Sequence, residues 1–158
     1  MTPGGPSTTL LQRIETAMRD AMRGRDAART STLRMAMAAA TNRRIQFGRE
    51  LTDDEMVDVL TRQVKQRRES IDLYRAGGRE DRAAAEEEEI AVLAEFLPQQ
   101  LSDAELDDLL GEAIAATGAS GPRDVGRVMG WLAPRTRGRA DGRAVSERVR
   151  GRLEPGSG

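Results

Sequence analysis

Three times along this chain a hydroxyl residue is followed, three positions on, by Glu or Gln: Thr9 with Gln12, Thr52 with Glu55, and Ser102 with Glu105. Each pair precedes apolar residues at helical spacing. In such a capping box the hydroxyl accepts from the backbone N–H three residues on, and the longer side chain reaches back to the cap N–H. Two donors that a helix start leaves orphaned are thereby satisfied together. A chain that writes this signal three times is committed to helices, and the spacing agrees. Leu10, Ile14, Met18 and Met22 predict a first helix that Gly24 stops. Asp26 caps a second, whose Ala-rich stretch from Met35 to Ala40 favours helix and permits close packing, with Gly48 at its end. Met56, Val57, Leu60, Val64, Ile71 and Tyr74 line a long third helix closed by Gly77 and Gly78. A fourth runs from about Glu80 to Leu97 and buries Ile90, Leu93, Ala94 and Leu97 before Pro98.

The pattern restarts after Gln99-Gln100. Leu106, Leu109, Leu110, Ala113 and Ile114 form a fifth helix ending at Gly118. Pro122 opens a sixth with Val125, Val128, Met129 and Leu132, closed by Pro134. Asp141 caps a seventh using Ala144, Val145, Val149 and Leu153. No run of alternating β-branched residues competes, and about three quarters of the chain reads as helix against the usual third. The fold class is all-α: an N-terminal four-helix domain over 9–98, then a small three-helix C-terminal domain over 99–153, with frayed tails at 1–8 and 154–158. Aromatics are only 3%, so the core is aliphatic, and this argues against an aromatic stacking platform for carbohydrate or single-stranded nucleic acid. No apolar run reaches the ~20 residues that span a bilayer, and no signal-peptide stretch opens the chain; we expect a cytoplasmic protein.

The net charge of −1 hides a strong asymmetry. Residues 1–50 carry nine basic and four acidic side chains, and 51–98 carry seven and thirteen. Residues 99–118 carry none and five, and 119–158 carry nine and four. There is no His and no Cys, and the 25 basic residues include a single lysine, Lys65. That removes the usual general base, the most nucleophilic side chain and most soft metal ligands. What remains abundant is guanidinium, suited to phosphate and carboxylate.

Several segments resemble the GatB/YqeY family. They are Ser31 to Met35, Val64 to Ile71, Ala76 to Asp81, Phe96 to Ser102, Gly126 with Val128-Met129-Gly130, and Gly138 to Gly142. The resemblance runs from about Leu10 to Leu153. It implies a free-standing two-domain helical protein whose C-terminal part is similar to the tail of the B subunit of glutamine-dependent tRNA amidotransferases. That tail helps hold tRNA, and family members are accordingly often labelled carbon–nitrogen ligases with glutamine as amido-N-donor.

The residues themselves argue against that chemistry in this chain alone. Glutamine hydrolysis by Cys and His is impossible here, and a Ser–Ser–Lys arrangement would have to use Lys65, mid-helix among charges. No G-x-x-x-x-G-K-[ST] loop is present for ATP. We expect no catalytic residue, cofactor or metal. The Glu86-Glu87-Glu88-Glu89 run points in four directions on a helix and reads as a solvated acidic face near Arg62, Arg67 or Arg68. Asp53/Asp54 and Asp107/Asp108 read as helix-start and surface charge.

The candidates for tRNA contact are Arg123, Arg127, Arg135, Arg137, Arg139 and Arg143, extended by Arg148, Arg150 and Arg152. They lie on and around a Gly-containing loop that precedes a helix start. A solubilising loop whose Asp141 caps its own helix is the competing reading. Gly126, Met129, Gly130, Gly138, Asp141 and Gly142 form the accompanying structural motif; Gly126 and Gly130, four apart, suit close helix packing better than backbone approach to RNA. Trp131 reads as a core or inter-domain contact rather than a base-stacking residue. Arg62, Arg67 and Arg68, with Gln63, Gln66 and Glu69, make a polar stripe fitting either an RNA surface or a salt-bridge network. The expected partners are tRNA and an amidotransferase or other translation protein, without membrane or DNA. The alternative is a helical scaffold that docks a basic protein through acidic helices 80–108, without tRNA.

Overall fold

The computed structural model describes residues 7–155, and among these the chain is all-helical, with seven α-helices and no strand. They are α1 (Leu10–Arg23), α2 (Ala27–Phe47), α3 (Asp53–Ala76), α4 (Glu80–Ala94), α5 (Asp103–Thr117), α6 (Val125–Thr136) and α7 (Gly142–Leu153). A 3-10 turn, Pro122–Asp124, leads into α6. The tails expected at 1–8 and 154–158 fall mostly outside the described residues. The chain divides between Leu97 and Pro98 into two compact units, with α1–α4 in the first and α5–α7 in the second.

The helix starts follow the capping logic. Thr9 and Thr52 each accept from the backbone N–H three residues on, while Gln12 and Glu55 return to the cap N–H. Ser102 accepts from the Glu105 N–H at 3.1 Å, but the Glu105 side chain does not return to the Ser102 N–H, so the third expected capping box is only half formed. Asp53, at the head of α3, also accepts from the Leu10 N–H at 3.0 Å, so one carboxylate serves the starts of two helices. At the far end of α2, Gly48 adopts φ 67°, a left-handed turn that side chains resist.

In the first unit α3 packs along α4 and α1 along α2. The core is aliphatic, built on Leu10, Ile14, Leu33, Ala36, Ala40, Met56, Leu60, Val64 and Leu93. Replacing a fully buried leucine such as Leu60 by Ala should cost about 3 kcal/mol. Two expectations need correction here. Met22 is 50% exposed and Ala21 takes its place. Each four-residue step advances ~40° beyond a full turn, so the stripe from Leu10 drifts off the core by its fourth member. α4 ends at Ala94 rather than Leu97, Ala94 is exposed, and Ala83 joins Leu93 inside instead.

The second unit buries Leu106, Leu110 and Ala113 of α5, Val128 and Leu132 of α6, and Val145, Val149 and Leu153 of α7. Pro134 does not close α6. It lies inside the last turn, which continues to Thr136 because the Arg137 N–H still reaches the Ala133 carbonyl and the Thr136 hydroxyl donates to Leu132 O. Proline forfeits only its own N–H bond, and near a helix end few further bonds depend on it.

Candidate nucleic-acid interface

The basic loop between α6 and α7 is tied down by the segment that precedes α5. The Leu101 N–H donates to Arg139 O at 2.8 Å, and the Gln100 amide donates to Gly138 O at 2.6 Å. Arg139 Nε donates to Gln99 O at 3.0 Å. Gly138 is buried with φ 71°, a conformation that admits glycine and lets its carbonyl face Gln100. Two segments 38 residues apart thus form one structure. Sequence reasoning missed Gln100, which reads as a polar linker residue; the signal was its place between Pro98 and a capping serine.

The candidate arginines divide by what their guanidinium groups do. Arg127 donates to Asp124 at 2.5 Å and to the Thr117 carbonyl at 3.1 Å, so it closes the C-terminus of α5. The Ser120 N–H and then Arg127 hold the Asp124 carboxyl below its ordinary range. Arg139 is spent on backbone carbonyls, Gln99 O before α5 and Arg135 O in the last turn of α6. Arg148 bridges α7 to Asp103 and Asp107 of α5 at 2.8 and 2.6 Å. Arg143 pairs with Glu147 at 3.3 Å in an exposed i,i+4 bridge, which water screens. Arg123, Arg135 and Arg137 are exposed, as are Arg150 and Arg152.

Gly126 and Gly130 are exposed on α6, and a Cβ added to either would meet nothing within 4 Å. The packing expectation for this pair is therefore wrong. The four-residue spacing does put them on one stripe, but that stripe faces away from the buried Val128 and Leu132. Met129 is half-buried against the core. Asp141 caps α7 by accepting from the Arg143 N–H at 3.4 Å, and Gly142 is the first residue of that helix. The positive end of α7 already faces the protein's own carboxylate.

Trp131 is half-buried against the core of the second unit, and the guanidinium carbon of Arg135 lies 3.6 Å from its ring centroid. Arg135 NH1 also donates to Trp131 O at 2.5 Å.

The polar stripe of α3 resolves differently. Arg67 is buried, with Nε 2.9 Å from Glu89 Oε2 and NH1 on the carbonyl and amide oxygens of Gln63. It occupies the core-facing position between Val64 and Ile71 and belongs to a salt bridge, while Arg62 and Arg68 stay exposed. Glu87 pairs with Arg75 at 2.5 Å. Burial, then the nearby Glu89, pushes the Glu86 carboxyl up. Among the described residues no three His, Cys, Asp or Glu are placed to hold a metal ion, and no helix is long and apolar enough to cross a membrane.

Comparison with known proteins fits this architecture to a family. The family model described as "Yqey-like protein" matches residues 11–153. The protein named "Altered inheritance of mitochondria protein 41, mitochondrial" of Pyrenophora tritici-repentis is 26% identical over 147 residues. The match covers 91% of this chain and 81% of that protein.

Proposed function

This chain belongs to the YqeY-like protein family, and on that premise we propose that it is a non-catalytic accessory protein that holds tRNA through its second unit. The reading treats the two units as separate domains, four helices over 9–98 and three over 99–153, working in the cytoplasm beside an amidotransferase or another translation protein. Carbon–nitrogen ligase chemistry, which the family resemblance brings with it, is then carried out by another polypeptide. The single amine side chain available to a Ser–Ser–Lys scheme, Lys65, stands exposed on α3, and the nearby Ser70 hydroxyl donates to Gln66 O.

The observation that carries the reading is the exposed side of α6. Gly126 and Gly130 leave a strip of α6 bare and the exposed Arg123 lies just before that helix, so a sugar–phosphate chain can come against the helix within reach of a guanidinium group that no ion pair among the described residues engages. The mechanism is electrostatic: each phosphate neutralised releases counterions, and affinity falls with salt. The scaffold alternative draws less support, because Glu87 and Glu89 are engaged by Arg75 and Arg67, and Asp103 and Asp107 by Arg148.

Affinity capture of the full chain from lysate, with and without ribonuclease, separates the two. Partners lost on ribonuclease treatment are the expected result. Partners fully retained would overturn the tRNA reading in favour of direct protein docking.

A further inference from the structure

We propose that the outer face of the Arg135 guanidinium is a stacking plate for one unpaired nucleobase, so that the second unit reads single-stranded RNA elements as well as backbone charge. This rests on the tRNA reading above. Three other arginine–aromatic pairs occur among the described residues, Arg13 on Phe96 and Arg43 and Arg49 on Phe47, at 5.1–5.9 Å. Arg135 is different: at 3.6 Å its guanidinium carbon is in stacking contact with the Trp131 ring. The bond from NH1 to Trp131 O fixes the group there, and the indole beneath is held against the core. Arg135 itself is exposed.

Among the described residues it has no carboxylate partner, whereas Arg127, Arg143 and Arg148 all do. A phosphate would seek the in-plane N–H edges, one of which already serves the Trp131 carbonyl. The broad outer face is what remains open, and a planar cation backed by an indole suits the π-face of a base. The scarcity of aromatics excludes a platform for a run of bases but leaves room for a single plate.

The test compares binding of the full chain to an RNA hairpin with an unpaired purine loop and to a blunt duplex with the same number of phosphates. The parent should favour the hairpin by about tenfold. Arg135→Lys keeps the charge and removes the plane, so it should lose that preference while keeping the parent's salt slope. Arg82→Lys, at an exposed arginine of the first unit outside the candidate interface, should keep both. Trp131 is the only tryptophan, so its indole N–H resonance both checks the fold of each variant and should shift with the hairpin but not the duplex. Retained preference in Arg135→Lys, or equal loss in Arg82→Lys, would overturn the plate. So would equal binding of both RNAs by the parent, which leaves the backbone reading standing. Binding of neither RNA would overturn both.

Discussion

The guanidinium of Arg67 is 5% exposed and donates from Nε to Glu89 Oε2 at 2.9 Å, joining α3 to α4 inside the first unit. Glu89 keeps a third of its side chain in water, whereas Arg67 does not. The two partners are therefore unequal. Glu89→Gln keeps an acceptor oxygen but leaves the buried cation without an opposing charge, and should destabilise the chain by about 2 kcal/mol. Arg67→Met removes the charge, keeps the volume and leaves Glu89 to solvent, so it should stay within about 1 kcal/mol of the parent. Urea denaturation midpoints at neutral pH check both. An unchanged midpoint for Glu89→Gln would contradict the pairing.

Two carboxyls give stability opposite dependences on pH. The fork from Arg49, with the Thr52 N–H, holds Glu55 down to about 2. A depressed carboxyl contributes stability above its ordinary range, about 4.3, and loses it as pH falls toward 2. Glu55→Gln keeps a capping side chain but should flatten the denaturation midpoint across that acid window. Glu86, pushed up by burial, acts in the other sense: its cost is absent in acid and appears as pH rises through the folded value. Glu86→Gln should be more stable than the parent at neutral pH, with no advantage below the ordinary glutamate range.

Gly126→Ala should raise stability by about 1 kcal/mol. It is a helical glycine with open space at its Cβ and no left-handed φ, so the substitution gains helix propensity without a clash. Thermal denaturation of the full chain measures it. A loss of stability would revive helix packing at this position.

Much of this molecule was legible because its signals are local. The caps at Thr9, Thr52, Ser102, Asp26 and Asp141 depend on neighbours two to four residues away, and the apolar faces follow from period alone. Other errors than those at Met22 and Pro134 came where a second helix decides. Arg67 reads as part of either an RNA surface or a salt-bridge network, and α4, by bringing Glu89 over it, decides for the salt bridge. Gly126 and Gly130 share a stripe, but nothing in their spacing says whether that stripe faces a helix or water. The candidate interface was legible as an arginine-rich stretch. Which arginines are tied up within the fold depends on Gln99, Thr117 and Asp107, none of them local enough to read.

Gln100 and Arg139 should therefore act on stability before they act on RNA. Gln100→Ala removes the donor to Gly138 O and should cost about 1 kcal/mol. Arg139→Ala should loosen the same loop through Gln99 O. Amide hydrogen exchange at Leu101, whose N–H donates to Arg139 O, should quicken in both variants. Unchanged protection would show that the loop is held by other contacts.

The central claim, that exposed arginines of the second unit hold tRNA by charge, is tested most directly by a salt series. The full chain is titrated against unfractionated tRNA by mobility shift, in parallel with the double variant Arg123→Ala, Arg143→Ala. Both side chains are exposed, and the Arg143–Glu147 pair is an exposed one, so the fold should survive their removal. The account predicts a steep linear fall of log affinity with log salt for the parent. The variant should have a slope shallower by between one and two, in line with ~0.7–0.9 for each phosphate that is no longer neutralised. No tRNA binding by the parent at low salt, or an unchanged slope in the double variant, would contradict it.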